Sequence, residues 1–200
     1  MENNEVIVYS AGADSIIEPK NVICYLPDVS FKHYFGFYTL LKSLSFDRKF
    51  KSGRSTQLFG LSPYKYGDVL HSPHSFNSNR FVKEMYDFVR QHFPYLCVNS
   101  CLINYYPDKS CFIPDHCDDE TSIVEDSFIL TISIGSTRQM QFKDLSDNTL
   151  LCSVSLADGQ ILIFSKQSQN LFTHGVPADT NNLFNDDYSP RISATFRRIA

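Results

Sequence analysis

The stretch that decides the fold spans residues 127–165 and reads SFILTISIGSTRQMQFKDLSDNTLLCSVSLADGQILIFS. It contains four short runs rich in apolar and β-branched residues, at 127–135, 138–144, 150–156 and 160–165. Polar residues and turn signals separate the runs, as they do between successive strands. Several short strands at this spacing are typical of a β-sandwich or jelly roll.

The sequence on both sides continues the strand pattern. CVNSCLINYY at 97–106 precedes the stretch and RISATFRRI at 191–199 follows it. Asp158-Gly159 fits a tight turn between two of the inner strands. The chain from residue 97 onward is therefore predicted to form a β core.

Two helices are predicted ahead of this core. Apolar residues recur at intervals of three and four between Ser30 and Phe46, with Ser30 as the N-cap. A second amphipathic pattern covers Asn79–Phe93, and Pro94 ends it. Helices that precede a run of strands indicate the α+β class.

Composition narrows the class of protein further. The 200 residues are 42% hydrophobic, which fits one folded domain. The net charge of -4 shows no excess of basic residues of the kind that usually accompanies nucleic-acid binding. No apolar run is long enough for a membrane span, and no secretory signal is visible at the N-terminus. The six cysteines form no CxxC pair, so we expect free thiols in the cytoplasm.

A candidate metal site begins with His116-Cys117-Asp118. Residues two apart on an extended segment point to the same face, so this histidine and this aspartate can bind one ion. His174 lies further along in FTHGV and completes a set of two histidines and one carboxylate, the facial triad of non-haem iron oxygenases. By itself the HxD tripeptide is a weak signal, since a surface histidine beside acidic residues gives the same pattern.

Arg191 and Arg197 are six positions apart in the last strand, so they share a face with Ser193 and Thr195. Two buried guanidinium groups need anions, and a dicarboxylate such as 2-oxoglutarate supplies two. An edge strand with surface arginines is the alternative. Asn104 and Tyr106 also share one face of their strand, and both could donate hydrogen bonds to the same cosubstrate or simply end a strand.

The order of these motifs resembles the AlkB family of dioxygenases over about residues 57–198. The motifs are NxY at 104–106, HxDxE at 116–120, SxG at 133–135, HxV at 174–176 and RxSxTFR at 191–197. The resemblance implies a double-stranded β-helix (jelly roll) core that uses Fe(II), 2-oxoglutarate and O2.

The resemblance also implies roles for individual residues. His116, Asp118 and His174 would be the iron ligands. Arg191 and Tyr106 would bind the distal carboxylate of 2-oxoglutarate, and Arg197 with Asn104 would bind the carboxylate near iron. Ser193 stands where many relatives have Asn, and its hydroxyl can still donate.

The implied activity is oxidative demethylation of N-alkylated bases such as 1-methyladenine and 3-methylcytosine, with release of formaldehyde, succinate and CO2. QLFGLSPYKYGDVL at 57–70 is similar to the family's nucleotide-recognition lid, with Tyr66 stacking on the base opposite His116 and Tyr64 as a polar contact. Glu120 would face the exocyclic nitrogen of the base. Ordinary loop packing for the tyrosines and an exposed carboxylate for Glu120 are the alternatives.

A basic segment precedes this lid and is a candidate for phosphate contacts, although a solvated loop would look the same. It contains Arg48, Lys49, Lys51 and Arg54.

The chain is predicted to comprise an N-terminal extension at 1–45, a lid with its supporting helix at 46–96 and the catalytic core at 97–200, within one structural domain.

Several segments resemble the AlkB domains of plant RNA-virus replicase polyproteins, which implies RNA as substrate and the host cytoplasm as location. The chain would then be a monomeric domain of a larger viral polyprotein.

Two alternative functions stay open at this point. One is a 2-oxoglutarate oxygenase acting on 6-methyladenine or on protein, and the other is a non-catalytic jelly-roll binding module.

Overall fold

The computed structural model describes residues 7–10, 22–66, 69–179 and 189–200, with side chains described over 30–63, at 65, and over 70–179 and 189–200. Most strands belong to one of two sheets that face each other. The elements in chain order are β1 (Ile7–Ser10), β2 (Val22–Ser30), α1 (Phe37–Ser43), β3 (Arg48–Lys49), β4 (Ser55–Gly60), β5 (Tyr64–Tyr66), β6 (Val69–His71), α2 (Arg80–His92), β7 (Ser100–Tyr106), β8 (Ile113–His116), β9 (Phe128–Gly135), β10 (Arg138–Asp144), β11 (Leu150–Leu156), β12 (Gln160–Ser165), β13 (Phe172–Val176) and β14 (Arg191–Arg197). The larger sheet contains eight strands in the spatial order β1-β2-β12-β9-β14-β7-β4-β3, and the smaller contains β11-β10-β13-β8.

The strand predictions from residue 97 onward are confirmed. Each of the six runs forms a strand, and the pairings among them are antiparallel. Gly159 takes a φ of +77° between β11 and β12, where a Cβ atom would lie 2.7 Å from the backbone oxygen of Phe31. Asp158-Gly159 therefore forms the predicted tight turn, and glycine is required there.

The large sheet separates two apolar layers. Its outer face packs against α2 through residues such as Val82, Met85 and Ile192. Its inner face packs against the small sheet through a cluster that includes Phe142 and Phe164. Two facing sheets with helices on the outside confirm the predicted α+β fold with a jelly-roll core.

The second predicted helix is confirmed. α2 covers Arg80–His92, and the side chain of Asn79 accepts hydrogen bonds from the backbone N–H groups of Phe81 and Val82. Asn79 is therefore the N-cap.

The predicted start of the first helix is wrong. α1 begins at Phe37 with Gly36 as N-cap, and Ser30 is instead the last residue of β2. Ser30 pairs with Gln160 at the end of the β2–β12 ladder. The pairing of a whole strand along the sheet outweighs the helical spacing of a few apolar side chains.

The segment at 46–96, predicted as a lid with its supporting helix, also contributes a strand to the large sheet. β4 lies beside β7 within the large sheet, and β5 and β6 form a separate two-stranded hairpin. The division of the chain at residues 45 and 96 stays a prediction. Among the described residues, no helix has the length and apolar character to cross a membrane.

Candidate active site

The two predicted histidine ligands lie opposite each other on neighbouring strands of the small sheet. His116 ends β8 and is the register partner of His174 on β13, and their ring centroids are 4.3 Å apart. Asp118 follows β8, and one ligand atom from each of the three residues lies within 4.8 Å of the others. The structure thus brings together the side chains that the sequence predicted as a metal site.

Both imidazoles are held in the neutral form that a metal needs. Burial lowers the pKa of His174 to about 3, with a further contribution from the nearby His116. Burial also lowers the pKa of His116, although Asp118 and a backbone carbonyl oppose the shift. At neutral pH each ring therefore keeps a nitrogen lone pair available for coordination.

Asp118 is fully buried and ionised. Burial alone would raise the pKa of this carboxyl, but Arg197 and the two histidines outweigh it and lower the pKa to about 2. Arg197 donates to the Oδ2 atom of Asp118 from Nε at 3.0 Å and from Nη2 at 2.6 Å. Oδ1 has no hydrogen-bond partner among the described residues, so one carboxylate oxygen is available to a cation.

Gln169 supports Asp118 from a 3-10 turn at Gln167–Asn170. Its Oε1 atom accepts a hydrogen bond from the backbone N–H of Asp118 at 2.9 Å, and the side chain is 2% exposed. This contact joins residues 51 positions apart. No local sequence signal indicates it.

Arg191 is completely buried in the middle of the large sheet. Its Nε donates to the hydroxyl of Ser133 at 2.9 Å, whereas Nη1 and Nη2 have no hydrogen-bond partner among the described residues. The guanidinium carbon lies 5.3 Å from the centre of the Tyr106 ring. Buried donors without partners are rare in folded proteins, and a carboxylate would satisfy both with a forked pair of hydrogen bonds.

The location of β14 excludes the alternative of an edge strand with surface arginines. β14 lies between β9 and β7, and its residues are buried along the whole strand. Ile192, Ala194 and Phe196 belong to the helix-side core, as the alternation predicted.

The remaining residues predicted for the cosubstrate line one cavity between the sheets. The register of β7 and β14 sets Asn104 opposite Ser193 and Tyr106 opposite Arg191. Asn104, Tyr106, Ser193 and Arg197 line the same cavity as His116 and His174. The residues present therefore fit both an Fe(II) ion and a small dicarboxylate, and their individual roles stay predictions.

One prediction for the basic segment is wrong. Arg54 is only 3% exposed and lines the cavity, so it does not lie on a surface that meets phosphates. It immediately precedes β4, whose residues are buried along the whole strand, and its guanidinium donates to the side chain of Asn104 in the interior. Lys49 and Lys51 are exposed, as expected of a basic loop.

The structure describes the predicted substrate residues only in part. The backbone of Tyr64 and Tyr66 belongs to β5, and their side chains lie outside the described residues. Glu120 is half-buried two residues beyond Asp118. Their contacts with a base stay predictions.

Comparison with known proteins supports the class of site described above. Residues 57–197 match the family described as the 2OG-Fe(II) oxygenase superfamily, which confirms the predicted use of Fe(II), 2-oxoglutarate and O2. The chain is 30% identical over 108 residues to the human (Homo sapiens) protein named DNA oxidative demethylase ALKBH2. This aligned region is 50% of this chain and 40% of that protein. The chain is also 26% identical over 163 residues to the bovine (Bos taurus) protein named alpha-ketoglutarate-dependent dioxygenase alkB homolog 3. That aligned region is 76% of this chain and 54% of the bovine protein.

The chain spans about half the length of these curated relatives. A solved structure described as "The structure of OsALKBH1" matches with a TM-score of 0.59 and 20% identity, covering 92% of this chain and all of that one. This likeness confirms the fold. The family match extends across both sheets and includes every predicted metal and cosubstrate residue. The chain belongs to the 2OG-Fe(II) oxygenase superfamily and is similar to its AlkB-type dioxygenases.

Proposed function

We propose that this chain is an AlkB-type oxidative demethylase that removes methyl groups from N-alkylated bases, with RNA favoured over DNA. The observation that carries the proposal is the cluster of His116, Asp118 and His174 in a cavity lined by Tyr106, together with a buried Arg191 packed against the Tyr106 ring whose two terminal amino groups lack hydrogen-bond partners among the described residues. The names of the similar proteins include a DNA oxidative demethylase, which supports a nucleic-acid substrate.

His116, Asp118 and His174 would hold Fe(II), which with 2-oxoglutarate and O2 supplies the oxidising chemistry for hydroxylation of a base N-methyl group. Arg191 would bind the distal carboxylate of 2-oxoglutarate, with Tyr106 beside it. The other carboxylate would lie near Arg197 and Asn104, while Ser193 contributes a hydroxyl to the cavity wall. Arg197 has a second task, because its bond to Oδ2 holds Asp118 in a single orientation.

A methylated base reaches this cavity only after it leaves its stack. Tyr66 would stack on the base opposite His116, Tyr64 would add a polar contact, and Glu120 would accept from the exocyclic nitrogen. The cationic lesions 1-methyladenine and 3-methylcytosine suit these groups, because they carry a positive charge beside a donor. Asp119 and Glu120 add negative charge on the same segment.

The preference for RNA and the viral setting follow from sequence resemblance. FGLSPYKYG at 59–67 and the segments at 99–120 and 126–142 resemble the AlkB domains of plant RNA-virus replicase polyproteins. The protein would then act on viral RNA in the host cytoplasm, as a monomeric domain of a polyprotein.

The decisive experiment measures formaldehyde and succinate released from matched RNA and DNA oligonucleotides that carry 1-methyladenine. We expect release to require Fe(II) and 2-oxoglutarate and to be faster with RNA. Asp118→Ala should reduce it at least 1000-fold, because it removes an iron ligand and leaves Arg197 buried without its partner. Asp119→Ala is the matched control, since Asp119 is the exposed neighbouring carboxylate, and it should retain activity within severalfold.

Other outcomes would redirect the proposal. Turnover confined to 6-methyladenine or to a peptide would make this a 2-oxoglutarate oxygenase of different specificity. Nucleic-acid binding that Asp118→Ala leaves unchanged, with no succinate from any substrate, would establish a non-catalytic jelly-roll module instead.

A further inference from the structure

Arg54 is the innermost residue of the basic segment 48–54. Its side chain is 3% exposed, its guanidinium carbon lies 4.2 Å from the centre of the Phe50 ring, and it lines the cavity together with His116 and Arg197. A guanidinium stays charged at any pH at which a protein is folded. Burial of that charge costs free energy unless the guanidinium is paired or hydrogen-bonded. Its role therefore depends on the polar group that it contacts inside the cavity.

A hydrogen bond from Arg54 decides how the side chain of Asn104 is oriented. Nη1 of Arg54 donates to Oδ1 of Asn104. A guanidinium has five N–H donors and no acceptor, so the atom that meets it can only be the amide oxygen. The amide nitrogen of Asn104 then points away from Arg54. Arg54 therefore removes the freedom of this amide to exchange its oxygen and nitrogen by a half turn.

That orientation matters because of the ligand that the cavity fits. Asn104 lines the cavity and is the register partner of Ser193. A carboxylate has only acceptors, so it is attracted by the amide nitrogen and repelled by the amide oxygen. We propose that Arg54 is a positioning residue, which holds Asn104 with its amide nitrogen toward a carboxylate of 2-oxoglutarate.

This inference rests on the proposed cosubstrate site, and a binding measurement separates the two. The probe is 2-oxoglutarate itself, titrated by calorimetry into the full chain loaded with Mn(II), without nucleic acid. We expect Arg54→Met to raise the Kd for 2-oxoglutarate about tenfold, because one charge-assisted hydrogen bond and the fixed amide are lost. Arg54→Lys keeps a cationic donor and should recover part of that loss.

A double-mutant cycle distinguishes positioning from general attraction. If Arg54 acts through Asn104, Arg54→Met combined with Asn104→Ala should raise the Kd little more than the larger of the two single effects. Asn104→Asp provides a second variant, since it keeps the shape and the bond to Arg54 but replaces the amide nitrogen with an oxygen. It should raise the Kd at least tenfold, and it decides the matter if Arg54→Met lacks a cooperative unfolding transition.

The outcomes are distinct. An unchanged Kd in Arg54→Met or Asn104→Asp, or fully additive effects in the cycle, would overturn the role of Arg54 if Arg191→Met still weakens binding at least 100-fold. Failure of the unmodified chain to bind 2-oxoglutarate at all would overturn both this inference and the proposed cosubstrate site.

Discussion

Two buried arginines show how a single residue reveals the kind of site it belongs to. Arg138 donates to the backbone oxygens of Asp108, Cys111 and Pro177, so its guanidinium is satisfied by the fold itself. Arg191 is buried as deeply, yet its terminal amino groups have no hydrogen-bond partner among the described residues. The first arginine therefore stabilises the protein, whereas the terminal donors of the second are what led us to propose that it binds a carboxylate ligand.

This contrast predicts opposite effects of the same substitution. Arg191→Met should leave the ligand-free protein as stable as before or more stable by about 1–3 kcal/mol, because it removes a buried charge whose terminal donors have no hydrogen-bond partner among the described residues. The same change should weaken binding of 2-oxoglutarate at least 100-fold. Urea unfolding with and without 2-oxoglutarate measures both effects.

Arg138→Met is the matched control. It should destabilise the protein by about 3 kcal/mol, because three backbone carbonyls lose their donor. The reading of Arg191 would be wrong if Arg191→Met destabilised the protein as much as Arg138→Met and still bound 2-oxoglutarate normally.

At the scale of elements, strand register brings together the residues predicted to bind the cosubstrate. The pairing of β7 with β14 sets Asn104 opposite Ser193 and Tyr106 opposite Arg191. A shift of one residue would turn every one of these side chains into the helix-side core. That core is filled by Ile103, Ile192 and Ala194 on the same strands, so the apolar face holds the polar face in position.

The helix layer that covers this core depends on one cap. Asn79 accepts hydrogen bonds from two backbone N–H groups at the start of α2 and donates to both oxygens of Ser43 at the end of α1. Asn79→Ala should therefore lower the free energy of unfolding by about 1–2 kcal/mol. The Kd for 2-oxoglutarate should not change, because α2 lies on the opposite face of the large sheet from the cavity.

Ser75→Ala is the control for this prediction. Ser75 is exposed and caps a single N–H group in the 3-10 turn at Phe76–Ser78, so its loss should cost about 0.5 kcal/mol. Chemical denaturation compares the two variants. Equal costs would contradict the prediction, because neither the second capped N–H group nor the bonds to Ser43 would then contribute.

At the scale of the whole molecule, the metal site makes stability depend on pH. His174 is buried against Phe142 and Phe164, and its pKa is lowered from an ordinary value of 6.5 to about 3. The unfolded chain binds a proton at this residue below pH 6.5, and the folded protein does not until about pH 3. Stability therefore falls as pH falls through this window and recovers as pH rises.

The metal-free protein should accordingly lose about 1.4 kcal/mol per pH unit through His174 as the pH drops from 6 to 5, with His116 adding to the loss. His174→Phe, which suits the aromatic surroundings, should reduce the slope by about that amount. Urea unfolding at a series of pH values provides the test. Identical slopes in the two proteins would contradict it.

Most of the fold and much of the site could be predicted from the sequence, because both rest on local alternation. The strand runs from residue 97 onward and the shared face of Arg191 and Arg197 follow from a period of two, and the metal residues follow from the HxD motif with a later histidine. Ser30 shows the limit of that approach. Its apolar neighbours have helical spacing, and only the ladder with β12 decides that it ends a strand.

The sequence by itself determined which side chains are available for the chemistry: a triad of metal ligands, an arginine pair and the strands that carry them. Only the tertiary structure decided that Arg54 faces inward to Asn104, that Gln169 holds the backbone of Asp118, and that Arg191 keeps two donors without partners among the described residues. The physical reason is that alternation along a strand reports which face is buried. The partner that a buried polar group meets is set by strands and turns that lie tens of residues away in the chain.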